Sequence, residues 1–193
     1  MEDLATLYQG CRTYRRFTQE HIPETILHKI VNVARERSCA RNENALRYAV
    51  VSRPELVAAM QPMLHWAAAL SPEIGTPKIG EQPTALIVMA RTEAASPLSD
   101  IDIGIAADAM AVTAWQQGIG SAILASINQP QIKQLLHIPD GIELRLVLAL
   151  GYPAHKSTVV EPQAGKTLDY YVDDQRNYYV PKLSEKAVIT YYA

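Results

Sequence analysis

Residues 11 to 17, CRTYRRF, place three arginines within five positions, with a threonine between them and an aromatic ring closing the run. Arginine presents a planar fork of donors and threonine a short hydroxyl, and together they suit the oxygens of a monophosphate dianion. If the run is extended after a helix ended by Gly10, alternation sets Cys11, Thr13 and Arg15 on one side and Arg12, Tyr14 and Arg16 on the other. The competing reading is a solvated basic loop, which needs no ligand. A second polar cluster lies in residues 38 to 51, SCARNENALRYAVV, where a helix ends, Asn42 and Asn44 follow, and an apolar strand begins. Asparagine carries an acceptor and two donors and can read a heterocyclic edge that alternates them. It equally well shapes a helix-to-strand turn.

Other chemistries lose their usual support. The five histidines are scattered with none at i, i+4 spacing to another, and there is no HExxH, GxxxxGK[ST] or GxSxG. GIGSAI at 118 to 123 lacks the third glycine of a dinucleotide fingerprint and follows a helix instead of a strand. Cys11 and Cys39 are the only cysteines and have no CxxC spacing, which argues against a cysteine metal site and for free thiols in a reducing compartment.

The elements that must position these clusters follow from pattern. Residues 23 to 37 carry Ile26, Leu27, Ile30, Val31 and Ala34 at helical spacing behind Pro23. RYAVVS reads as a strand, with Ser52 and Glu55 as a capping box for a helix from Pro54 that breaks near Pro62; MLHWAAAL follows as a second apolar segment. ALIVMA at 85 to 90 reads as a strand covered on both faces, and residues 101 to 117 as a buried central helix with Gly118 in the left-handed position behind it. GSAILASI is a strand, QPQIKQLLH a short helix and ELRLVLAL a strand ending at Gly151. The last 35 residues hold six of the ten tyrosines, so the tail must pack on its own domain or on a partner subunit.

With 193 residues, 48% hydrophobic, 20% charged and a formal net charge of -2, the chain suits one globular domain and gives no electrostatic reason to bind nucleic acid. No stretch approaches 18 uninterrupted apolar residues, and the start, MEDLATLYQG, lacks a signal-peptide pattern. The expectation is a cytoplasmic protein with no membrane segment.

Taken in order, these segments resemble the nitroreductase family of FMN-dependent oxidoreductases. CRTYRRF is similar to the family's RRSxRxF phosphate motif, and RSCARNENALRY, residues 37 to 48, to its APSxxNxQPWxF segment. IDIGIAADAMAVTAWQQGIGSAIL resembles the central helix and GLG turn, LALGYPA the LxLGxP strand end, and DYYVDDQRNYYVPKL one branch's YYxD and VPKR elements. The resemblance implies an α+β, nitroreductase-like fold: a central mixed, mainly antiparallel sheet flanked by helices. It implies a single domain over residues 1–193, with residues 159–193 as an extended arm packing on the partner subunit and exchanged in a homodimer.

The resemblance also implies FMN, with NAD(P)H as reductant and a small electron-poor acceptor such as a nitro-aromatic or quinone reduced by ping-pong hydride transfer. Carried over position by position, Thr13 takes the phosphate serine's place, and Arg15 that of the basic residue at the phosphate or near N1 and the C2 carbonyl. Cys11, Arg12 and Cys39 lie in the same motifs and join the cofactor-binding set. Asn42 matches the asparagine on the isoalloxazine edge and Asn44 the nearby glutamine. Ile119 and Gly120 would offer backbone N–H groups toward N5, and Lys182 would return to the phosphate. The mechanism needs no catalytic side chain and no metal. Cys11, Ser38, Ala45, Leu46 and Leu183 depart from the family pattern, and the departures at Cys11, Ala45 and Leu183 motivate the alternative of an FMN carrier or sensor with little reductase activity.

Overall fold

ALIVMA and LVLAL are apolar at every position, so neither strand can show a face to water. The computed structural model, which describes residues 3–192, resolves how both faces are covered. In chain order the elements are α1 (Leu4–Gly10), α2 (Glu24–Arg35), β1 (Leu46–Val51), α3 (Pro54–Met60), α4 (Pro72–Gly75), β2 (Ala85–Thr92), α5 (Ser99–Trp115), β3 (Gly120–Leu124), α6 (Gln129–Leu136) and β4 (Ile142–Gly151). The tail adds β5 (Ser157–Val160), β6 (Tyr171–Val172), β7 (Tyr178–Pro181) and α7 (Glu185–Val188).

The main sheet has the order β1-β2-β4-β3 with every pair antiparallel, so β2 and β4 are its interior strands. On one face Ile87 and Met89 of β2 and Leu146, Leu148 and Leu150 of β4 pack against α2 and α5. On the other, Leu86, Val88, Val147 and Ala149 pack with Tyr14, Phe17, Val57 and Ile132. A bulge between Met89 and Ala90 lets Leu144 rejoin the second face and leaves Arg145 to pair with Asp100 at 2.9 and 3.0 Å. Thr13 adds a parallel bridge beyond β3, which makes the arrangement mixed though mainly antiparallel. The α+β architecture is as the sequence implies.

One local expectation is corrected. Ser52 does not cap α3: Arg53 takes the N-cap position without a side-chain bond, and its carbonyl accepts from Leu56 and Val57 at 3.0 Å. Pro54 has no N–H to satisfy, which removes part of the need for a cap. Beyond the 3-10 turn of Gln61–Met63 the second apolar segment continues without regular helix. Leu64 bridges to Ile127, and Trp66 and Ala67 are buried through tertiary contacts alone.

The tail forms a second sheet of order β5-β7-β6 that packs on its own chain. Tyr178 is 1% exposed against His155 and Tyr170. Beyond β7 the side chains of Leu183, Val188, Ile189, Tyr191 and Tyr192 are exposed. Among the described residues no helix is long and apolar enough to cross a membrane.

Candidate functional site

The arginine loop is fastened by its aromatic residues. α1 ends at Gly10, where a Cβ would lie 2.6 Å from the Trp115 indole nitrogen. Tyr14 stacks on Trp115 with ring centroids 5.2 Å apart, and its hydroxyl donates to the Gly10 carbonyl at 3.1 Å. The Tyr14 N–H donates to Ser121 on β3 at 2.8 Å, and Phe17, 1% exposed, bridges to Pro153 behind β4. Tyr14 and Phe17 are therefore core residues and hold the arginines between them at a fixed place. Trp66 and Trp115 are likewise packing residues.

Those arginines are used differently. Arg16 is structural: its guanidinium donates to the carbonyls of Gln175 and Arg176 at 3.1 and 2.9 Å and lies 3.4 Å from Glu81. Glu81 also pairs with Arg176 at 2.9 Å. Burial alone would raise the Glu81 carboxyl, but the hydrogen bond and charge of Arg176, with the Lys78 N–H and Arg16, hold it below the ordinary glutamate range. Arg12 makes no hydrogen bond or ion pair among the described residues, and its Nε is buried without a partner. Thr13 is exposed and its hydroxyl is free among the described residues. The Arg15 guanidinium lies over the rings of Tyr170 and Tyr178, at 4.4 and 4.9 Å, and it too bonds no acceptor there. An unpaired buried donor costs about 1 to 3 kcal/mol. Arg12, Thr13 and Arg15 thus keep side-chain donors without an acceptor among the described residues, although an unpartnered Nε is shared by Arg16 and Arg176.

Cys11 is held in its thiol form. Burial first, then the Asp108 charge, pushes its thiol up to about 11. Behind the loop, His155 is 9% exposed, accepts the Arg15 N–H on Nε2 at 3.0 Å, and so carries its proton on Nδ1, 2.9 Å from the Lys156 carbonyl.

The asparagine cluster forms a tight turn in which Arg41, Asn42 and Asn44 all have left-handed backbone, with φ of 53°, 55° and 51°. Asn44 Nδ2 donates to the Asn42 carbonyl at 2.7 Å and to its side-chain oxygen at 3.1 Å. The turn is anchored by Asp102 of α5, 5% exposed, which accepts the Ala40 N–H at 2.9 Å. Cys39, Asn44, Arg37, Tyr48 and Asp102 line a cavity of about 230 Å³ beside it.

The two clusters are far apart. The asparagine turn precedes β1 at one edge of the sheet, whereas Thr13 pairs beyond β3 at the other. α5 gives a second measure: Asp102 holds the turn, Trp115 lies against Gly10, and the helix between them is ~20 Å long at ~1.5 Å per residue. Counting strand spacings of ~4.8 Å and ~3.3 Å per residue along β4 puts the two clusters roughly 30 Å apart.

The sequence pattern of the nitroreductase family matches residues 9–152, which spans the arginine loop, the asparagine turn and all four strands of the main sheet. The chain belongs to the nitroreductase family. Solved structures agree on the fold. A nitroreductase family protein from Clostridium novyi NT is 20% identical, covers 79% of this chain and 86% of its own, and superposes with a TM-score of 0.67. One from Streptococcus pneumoniae TIGR4 is 16% identical over 86% and 97% of the two chains, with a TM-score of 0.66. A protein described as an FMN-dependent nitroreductase, from Clostridium difficile R20291, is 15% identical over 80% and 90%, with a TM-score of 0.66. No curated protein matches the chain.

Within this nitroreductase-family chain, not every implied residue is free for a ligand. Ile119 is fully buried and its N–H donates to the Ala114 carbonyl at 3.0 Å. The side-chain-free face of Gly120 is filled by Tyr14, 2.8 Å from the place of a Cβ, and by Pro153 at 2.9 Å. That turn serves the arginine loop. Lys182 is exposed, and its N–H donates to the Val160 carbonyl at 3.0 Å. Tyr170, Tyr178, His155 and Asp102, which sequence reasoning missed, touch or anchor the implied residues. The crowding of tyrosines in the tail was a signal for Tyr170 and Tyr178, and nothing in the sequence singled out His155 or Asp102.

Proposed function

We propose that two copies of this chain jointly bind FMN, and that the loaded dimer is a cytoplasmic oxidoreductase passing electrons from NAD(P)H to a small electron-poor acceptor such as a nitro-aromatic or quinone. The observation that carries this reading is the uncommitted donor set of Arg12, Thr13 and Arg15 beside an Arg16 spent on structure. Arg12 and Thr13 hold the phosphate, and Lys182 of the tail returns to it. Arg15, a rigid cation, sits at the phosphate or at the pyrimidine edge, where it favours the anionic reduced form. Asn42 and Asn44 read the ring edge. Because one copy separates them from its own arginine loop by the length of α5, the asparagines belong to the second copy's loop. When bound, FMN supplies the centre that takes hydride from NAD(P)H and gives it to the acceptor in turn. The protein's part is to hold the reactants over one face and to exclude water.

Two surfaces support the second copy. Apart from Asp108, α5 is apolar on its outward side as well, where Ile101 is exposed, Gly104 has nothing within 4 Å of the place of a Cβ, and Ile105 and Val112 are half-buried. A helix apolar nearly all round calls for cover. The exposed apolar end of the tail, from Leu183 to Tyr192, supplies an arm of the right character to cross between copies.

The deciding experiment is an absorbance spectrum of the purified protein, with bands near about 370 and 450 nm expected for oxidised flavin, followed through anaerobic addition of NADH and NADPH. Bleaching by either supports the oxidoreductase. Bound flavin that neither bleaches turns the reading to a carrier or sensor, and protein that stays colourless after FMN is added removes it.

A further inference from the structure

Neighbouring arginines of the loop have opposite relations to the tail. Arg16 fastens it, through the Gln175 and Arg176 carbonyls and the shared Glu81. Arg15 is held by it. Its Cζ lies 4.4 Å from the Tyr170 centroid and 4.9 Å from that of Tyr178, and the rings are 6.1 Å apart, so the guanidinium sits in a notch between them. A cation held over ring faces engages their π systems and leaves the guanidinium N–H donors, which have no acceptor among the described residues, free for a ligand. The backbone of the same residue is fixed from behind by His155, whose ring packs on Tyr178 at 4.8 Å. Both ends of Arg15 are therefore set by residues from 155 onward.

We propose that Tyr170 and Tyr178 are positioning residues for the cofactor: by holding the Arg15 guanidinium between their rings they present its free donors to FMN, so that the tail sheet sets how tightly the flavin is held. The inference rests on the FMN reading above. A flexible arginine would lose rotamer freedom on binding, and the notch removes that freedom beforehand. Plain tail packing, with Arg15 only covering two tyrosines, predicts instead that removing a ring changes stability and leaves the flavin untouched.

Tyr178 belongs to the core, so the half-buried Tyr170 is the residue to vary. FMN dissociation constants are measured by flavin fluorescence on the apo dimer for wild type, Tyr170→Leu, Tyr170→Phe, Arg15→Gln and the Arg15→Gln/Tyr170→Leu double variant, with thermal midpoints alongside. Tyr170→Leu is expected to weaken FMN about fivefold to tenfold, and Tyr170→Phe, which keeps the ring, to stay within about twofold. With Arg15→Gln already present, Tyr170→Leu is expected to change nothing further. Unaltered affinity in Tyr170→Leu, or an equal loss with and without Arg15, overturns the inference while the FMN reading stands. Wild-type protein that binds no FMN overturns both. Should Tyr170→Leu fail to fold, Arg15→Lys tests the same contact from the other side, because an ammonium has no planar face to grip; undiminished affinity there is equally fatal.

Discussion

Gly120 of β3 and Gly151 of β4 are register partners, and the two rings of the arginine loop occupy the space their side chains would fill. A Cβ on Gly120 would meet Tyr14 at 2.8 Å, and one on Gly151 would meet Phe17 at 2.8 Å. Neither ring can retreat, since Tyr14 is stacked on Trp115 and Phe17 is 1% exposed. Gly120→Ala and Gly151→Ala are each expected to cost about 1 to 3 kcal/mol in urea unfolding, the usual range for an overpacked core. Each should also weaken FMN, because the loop moves. Wild-type stability and affinity in both would contradict this packing.

Arg15 and Arg16 should separate cleanly on substitution. Arg16→Gln gives up two charge-assisted bonds to the tail and leaves Glu81 with one partner fewer, so a loss of about 2 kcal/mol is expected. Arg15→Gln gives up no hydrogen bond of its side chain among the described residues, so its mark should fall on flavin affinity. Thermal melts and FMN titrations of the pair read both effects.

His155 makes stability depend on pH. Burial first, joined by the charges of Arg16, Arg15 and Arg176, pushes the imidazole down to about 4 from 6.5, although the Lys156 carbonyl that accepts its proton works the other way. Above 6.5 both states are neutral. Between 6.5 and 4 only the unfolded chain takes the proton, so stability falls with falling pH, by something on the order of 2 to 3 kcal/mol across the window. Glu81, held below its ordinary 4.5, adds a loss only below that value. Denaturant midpoints from pH 7 to pH 4 should show the slope, and His155→Gln should flatten it.

Gly104 tests the second copy. In a lone subunit Gly104→Arg points into open space and replaces a poor helix former, so it should not destabilise α5. Where another α5 packs on that face, the same change blocks association. Sedimentation is expected to show a monomer, with bound flavin lost at the same time. A dimer that persists would remove this face from the interface.

Much of the architecture was legible because it is written in short-range pattern. The ALIVMA stretch of β2 and the LVLAL stretch of β4 are apolar at every position, which only a doubly covered strand requires, and α5 is apolar nearly all round and is followed by Gly118 at φ +75°. The arginine loop stood out by charge density and the tail by its tyrosines. The choice among the three arginines was not legible, since alternation grouped Arg15 with Thr13 and Arg12 with Arg16 on equal terms. Arg16 finds its partners 159 and 160 residues away, and Arg15 its backbone acceptor 140 residues away. No local period reaches that far. That Tyr14 packs against the turn at Gly120 was hidden for the same reason, since the ring comes from more than a hundred positions earlier.

By itself, then, the sequence determined the family, the order of the elements and the residue types able to hold an anion, because periodicity, composition and short motifs are properties of neighbouring residues. Only the tertiary structure decided which cations are free. A guanidinium is spent or available according to what the distant tail brings to it, and packing at long range is what sets that.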